Sequence, residues 1–270
     1  LATQDNSMPL EQVVVYRVQS VAYDNFGAGV FAQGQLSEGD KLPQGARVSL
    51  YFRGNAIGGP AVIKPGVRCT SAQSGTGYFR NTISTDGRFC PDFNDAILDG
   101  RAVYGIAPTE DVFLHRANGE RCTSTETGNV YYLINPASQF YRNYLATRAQ
   151  EKLLALQVNI LFLDEMRAGW SGVTSICGGA PKEYSSSSAY WSQLLELARH
   201  VESGLFDFIV EANLASAGAF WSDYSFLDAV MCESCFSSWG GAWPSSSRML
   251  SDLAYLQSAV NRGQTVYIVI

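Results

Sequence analysis

From residue 139 to the end of the chain, apolar positions fall alternately into helical stripes and short unbroken runs. Tyr141, Tyr144, Leu145, Ala149, Leu153 and Leu156 recur at the spacing of one helix face, which predicts a helix over 139–156. Pro136 and Ser138 stand at its start, as helix entry requires. Trp191, Leu194, Leu195, Ala198 and Val201 predict a second helix over 187–203, ended by Gly204. A third is predicted over 247–261, with Gly263 just beyond it. Between them, the runs 158–164, 206–212, 227–232 and 265–270 are too short and too continuously apolar for anything but buried strands. Residues 111–115 read as one more strand, and the Gly/Ser-rich stretch that follows 164–165 reads as a loop. Strand–helix alternation of this kind argues for a parallel sheet with helical crossovers.

The first part of the chain has a different rhythm. Runs 12–18 and 46–52 are β-branched or alternate with a period of two, and Gly, Pro, Asn and Asp punctuate the rest. The expected fold class is therefore α/β: a small β-sandwich over 1–95, then a partial (β/α) TIM-type barrel over 96–270. About five barrel-type strands are visible where closure takes eight. Either the opening strands lie hidden in the N-terminal half, or the chain is a fragment of a longer protein; the fragment is the expectation.

The barrel reading gives meaning to a repeated oddity, namely apolar runs that end on acids. Ile160-Leu-Phe-Leu-Asp-Glu165 ends on two, Glu211 precedes Ala212-Asn213, and Glu233 follows Val230-Met-Cys232. An unpaired buried carboxylate is costly, so acids at strand ends call for a reason. In a barrel the C-terminal strand ends carry the active site, and two facing carboxylates are the tools of glycoside hydrolysis. Asp164 ranks above Glu165, because alternation turns Glu165 to the other face if the strand runs straight. Glu211 competes with Glu233 for the second role. Trp170, Trp221, Trp239 and Trp243 fall in stretches after strands, where an indole could stack on a sugar ring. His115 and Arg142 complete the candidate substrate-binding set. The plain alternative is that these acids pair with Arg142, Arg167 or Lys182 and simply close the strand ends.

Composition narrows the field further. Apolar residues make up 46% and aromatic residues 12%, enough for a real core, while charged residues are only 16%, a balance that suits an exported, carbohydrate-facing protein. A net charge of −6, with no basic stripe, argues against nucleic acid. No run approaches a membrane span. The chain opens Leu1-Ala-Thr-Gln-Asp-Asn6, without Met or an apolar leader, so a trimmed extracellular product is expected. Six cysteines fit disulfides in an oxidising compartment, with free buried thiols as the alternative. Cys69 and Cys90 share the β-rich half and are the first pair to consider. Cys232-Glu-Ser-Cys235 has CxxC spacing but no second such motif, and His115 and His200 are the only histidines, so neither a metal nor another cofactor is expected. Gly-x-Ser-x-Gly, P-loop and Gly-x-Gly-x-x-Gly motifs are missing.

Taken in order, Asp111-Val-Phe-Leu-His-Arg-Ala-Asn-Gly119, Tyr132-Leu-Ile-Asn-Pro-Ala-Ser-Gln-Phe-Tyr-Arg142, Ile160-Leu-Phe-Leu-Asp-Glu165, Ala212-Asn213 and Val230-Met-Cys-Glu-Ser234 resemble the TIM-barrel glycoside hydrolase families related to the endo-α-1,4-polygalactosaminidase group. The resemblance spans 110–270 and implies Asp164 and Glu233 as the principal catalytic carboxylates, with Asn213 on the floor of the site. Leu42-Pro-Gln-Gly-Ala-Arg-Val-Ser-Leu50 and Thr85-Asp-Gly-Arg-Phe89 resemble Ig-like and carboxypeptidase-regulatory-like β modules. The expected function is an extracellular glycosidase acting on a polysaccharide or oligosaccharide of amino or neutral sugars, without nucleic acid or a membrane span as partner. The alternative is a non-catalytic carbohydrate-binding or structural subunit that kept the scaffold, with further segments or chains completing the barrel.

Overall fold

The computed structural model describes residues 13–15, 29–32, 47–53, 56–60, 97, 100–126, 129–156, 159–167, 169–236 and 244–268. Its centre is a seven-stranded sheet built from β1 (Val13–Val15), β2 (Gly29–Ala32), β3 (Arg47–Arg53), β7 (Ile160–Asp164), β8 (Ile209–Asn213), β9 (Ala229–Cys232) and β10 (Thr265–Ile268). Every pairing in it is parallel. From β2 the neighbours run β3, β7, β8, β9, β10 and then β1. The first described strand thus follows the last, a cyclic order that strands take around the wall of a (β/α) barrel. β7, β8 and β9 are buried almost throughout, as strands covered on both faces must be.

Helices α1 (Gln139–Leu156), α2 (Trp170–Cys177), α3 (Ser187–Ser203) and α4 (Ser246–Asn261) supply the crossovers. Ser186 and Ser245 cap α3 and α4 by accepting from the amides of Ala189 and Arg248. Leu145, Ala149 and Leu153 of α1 and Leu194, Leu197, Ala198 and Val201 of α3 are fully buried, so the predicted stripes are the faces that close the core. No described helix is long and apolar enough to cross a membrane.

A second sheet is antiparallel, with β6 (Asn129–Leu133) between β4 (Ala56–Pro60) and β5 (Thr123–Glu126). It belongs to the excursion between β3 and α1, which makes it a long βα loop at the C-terminal ends of the barrel strands. Cys122, just before β5, is disulfide-bonded to Cys177 at the end of α2. Lys182 donates its backbone N–H to the carbonyl of His115, and Arg116 donates to that of Ile176. The excursion is therefore fastened to the next βα connection.

Three expectations change here. The described strands of 1–95 do not form a separate sandwich: β1, β2 and β3 join the parallel sheet, and β4 pairs across the expected boundary with β6. A β-branched run carries no mark of whether its partner is a hairpin neighbour or a parallel strand from the other end of the chain. Strands of the N-terminal half thus take part in the barrel-type sheet. Residues 111–115 form a 3-10 turn (Glu110–Val112) and two isolated bridges rather than a strand, and α2 occupies a stretch read as loop.

Candidate active site

Because the strands are parallel, their C-terminal ends meet on one edge of the sheet. Asp164 ends β7, Asn213 ends β8, and Glu233 is the first residue past β9. The Asn213 Nδ2 donates to Asp164 Oδ1 at 2.8 Å and to Glu233 Oε2 at 2.8 Å. Both bonds leave one nitrogen, so the two acceptor oxygens stand no more than about 5.6 Å apart, the sum of the two bonds. Asn213 Oδ1 accepts the backbone N–H of Ala215 at 2.8 Å, which leaves only the NH2 side of the amide to face the acids.

Glu233 is held by its backbone. The carbonyl of Ala215 accepts the N–H groups of Glu233 and Ser234 at 3.0 and 2.8 Å, and the Ser234 hydroxyl at 3.0 Å. A disulfide between Cys232 and Cys235 closes around the same residue. Burial raises the pKa of Glu233 above the ordinary carboxylate value; the Asn213 bond opposes that shift and the neighbouring Asp164 charge adds to it. A glutamate so placed retains its proton further toward neutrality than an exposed one.

Two non-glycine residues here have left-handed backbones: Glu165 (φ 61°) and Ala215 (φ 60°). Such conformations cost about 1–2 kcal/mol each, and their concentration at one site marks a geometry held for a purpose. The turn at Glu165 lets its own N–H reach Asp164 Oδ1 at 2.8 Å. It also corrects one expectation. Alternation would have turned the Glu165 side chain away, but the left-handed residue breaks the strand period, and Glu165 lines the same cavity as Glu233.

That cavity has a volume of about 310 Å³ and is lined, among the described residues, by Glu165, Arg167, Gly169, Asn213, Ala215 and Glu233; Asp164 is not in the lining and meets it through the Asn213 amide and the Glu165 N–H. Among the described residues, no ion pair joins Arg142, Arg167 or Lys182 to Asp164 or Glu233, so the alternative in which these cations close the strand ends is not seen for those two acids. Arg142 instead donates to the Pro136 carbonyl and to Gln193, which fixes the entry of α1 rather than facing the cavity. Arg167 lies between two rings, 3.7 Å above Trp191 and 4.1 Å from Phe220.

The other candidates are spread more widely. Glu211 shares Asn213's face of β8 one step deeper, is fully buried and does not line the cavity. Trp170 packs on Tyr190 at 5.9 Å. Trp221 is a core residue whose Nε1 donates to the Ser216 carbonyl. His115 is bound by Glu183 and Glu110, away from the cavity lining. Trp239, Trp243, Cys69 and Cys90 lie outside the described residues. Ala215 and Arg167 are additions to the site. Nothing in an alanine announces a left-handed turn, while Arg167, two residues past Glu165, had the right address. Among the described residues no group of three or more His, Cys, Asp or Glu is arranged to hold a metal ion.

No protein-family model matches the sequence, and no curated protein matches it. Solved structures of similar shape include the glycoside hydrolase domain of PelA from Pseudomonas aeruginosa, at 13% identity and TM-score 0.45, covering 88% of this chain and 81% of that one. A variant of that domain aligns at 13% identity and TM-score 0.43, over 83% of this chain and 66% of that one. A cycloisomaltooligosaccharide glucanotransferase from a Paenibacillus species aligns at 11% identity and TM-score 0.44, over 83% of this chain. The chain spans only 26% of that enzyme's length.

Proposed function

We propose that the chain is a glycoside hydrolase that cleaves a polysaccharide or oligosaccharide with Glu233 as acid and Asp164 as nucleophile. The observation that carries this reading is the single amide of Asn213 bonded to both carboxylates at 2.8 Å. An upper bound of about 5.6 Å between the bonded oxygens fits retaining glycosidases, whose acids stand about 5–5.5 Å apart, better than the roughly 6.5–9.5 Å of inverting ones. Glu233, protonated through burial, gives its proton to the glycosidic oxygen as the bond to the anomeric carbon breaks. Asp164 attacks that carbon and forms a covalent glycosyl ester. The now ionised Glu233 then removes a proton from water, whose oxygen displaces Asp164 and restores the starting anomer. The disulfides Cys122–Cys177 and Cys232–Cys235 support an oxidising, extracellular setting.

The test is hydrolysis with product stereochemistry read by NMR. Asp164→Asn and Glu233→Gln are each expected to lose about 10²–10⁴-fold in kcat with unchanged melting temperatures. Glu233→Gln should keep most of its activity on aryl glycosides whose leaving group needs no proton. Undiminished turnover in either variant would rule out that residue's role. A completely inactive wild-type chain that still binds sugar would instead favour a non-catalytic carbohydrate-binding subunit.

A further inference from the structure

Among the described residues lining the cavity, Arg167 is the cation, and it shares the cavity with Glu165 and Glu233. A guanidinium beside two carboxylates ordinarily collapses onto one of them. This one does not. Its plane is sandwiched between Trp191 of α3 and Phe220 of the 3-10 turn Ala219–Tyr224, at 3.7 and 4.1 Å. Among the described residues it makes no hydrogen bond and no ion pair. Stacking occupies the two faces of a guanidinium and leaves its edge, where all the N–H donors lie, unclaimed. The arrangement presents a planar fork to whatever enters the cavity.

We infer that Arg167 is a specificity residue for a carboxylate on the substrate, so that the sugar bound beside Asp164 and Glu233 is a uronic acid or another carboxylated sugar. A planar carboxylate matches the guanidinium edge with two parallel bonds. Asp223 and the cavity acids surround Arg167 with negative charge but make no bond to it among the described residues, so a neutral sugar would leave its N–H edge unpaired. The inference rests on the glycosidase reading of this cavity and narrows its substrate class.

The test compares hexamers of α-1,4-galacturonan and β-1,4-glucuronan with the same hexamers after reduction of their carboxyl groups, which keeps ring and linkage and removes only the charge. Binding is measured by calorimetry on the intact chain, with inorganic sulfate as a competitor. At least one acidic hexamer should bind about 10–100-fold tighter than its reduced counterpart, the range of a charge-assisted bond. Arg167→Gln should bring the pair to parity without weakening the reduced hexamer, and Arg167→Lys should fall between, since it keeps the charge but not the fork. A role in folding alone would move both hexamers and the melting temperature together. Equal binding of acidic and reduced hexamers by the wild type, no binding of either acidic hexamer, or equal competition by sulfate would overturn the proposal. Preferential binding without cleavage would leave the carboxylate site standing and sink the hydrolase reading instead.

Discussion

Two groups of acids in this molecule use the same residue types to opposite ends. Where the 100–135 segment meets the 180–184 turn, Glu110 takes two bonds from Arg121, at 2.6 and 2.8 Å. His115 lies between Glu183, 2.6 Å from its Nδ1, and Glu110, 3.1 Å from its Nε2. Chiefly through Arg121, the Glu110 carboxyl is held down at about 2. For His115, burial opposes protonation, but the bonds from Glu183 and Glu110 outweigh it and raise the pKa. At the strand ends the mediator between Asp164 and Glu233 is a neutral amide, and Glu233 is pushed upward. Cations between acids make a fastening. A neutral bridge leaves a proton available to give away.

The largest effect should come from erasing that distinction. Asn213→Lys puts a cation between Asp164 and Glu233 as His115 stands between Glu110 and Glu183. Glu233 should then ionise, with hydrolysis falling about 10²–10⁴-fold while thermal unfolding is unchanged or later. Persistent hydrolysis would show that Glu233 is not the proton donor.

The two disulfides sharpen the contrast next. Cys122–Cys177 closes 55 residues and should contribute about 4 kcal/mol by loop entropy, against less than about 2 for Cys232–Cys235, which closes 3. Replacing the first pair with alanine should therefore lower stability more than turnover. Replacing the second should lower turnover more than stability, because it frees the Glu233 backbone. Urea titration beside kinetics separates them, and the reverse ranking would refute the assignment.

A pH scan addresses the fastening. His115 has a raised pKa in the folded state, so its stabilisation is fully present below the unfolded value near 6.5 and is lost as pH climbs through the folded one. Glu110 behaves oppositely: its stabilisation is present above the ordinary value of 4.5 and disappears as pH falls toward about 2. Melting temperature should decline as pH rises beyond the unfolded value near 6.5, and His115→Gln should flatten that decline. An identical slope in the variant would remove His115 from the account. Smallest of all, Glu165→Gly should stabilise the chain by about 1 kcal/mol by relieving a left-handed backbone, with a measurable loss of activity as Asp164 loses its fixed neighbour.

Much of the candidate site was legible because parallel strands put their ends on one edge, so Asp164 and Glu233 followed from where two apolar runs stop, while Asn213 was implied by the family resemblance. The helices over 139–156 and 187–203 were equally plain, since their stripes are long. What escaped notice lacked local signal. Trp170, Val173 and Cys177 do mark one face of α2, but the serines and glycines around them outweighed it. Strands β5 and β6 are short, and β5 is rich in Thr and Ser. Val13–Val15 and Arg47–Arg53 read correctly as strands, and only their partners, from the far half of the chain, were misjudged. The role of Arg167 depends on Trp191 and Phe220, which approach it only in three dimensions.

The acid pair is held through main-chain groups of Ala215 and Glu165, on Asn213, Glu233 and Asp164, and not through Arg167 or Gly169. Changes elsewhere in the cavity lining could therefore alter which sugar enters while the anomeric outcome stays fixed. A library diversified at Arg167 and Gly169 should yield altered appetites and a single stereochemistry.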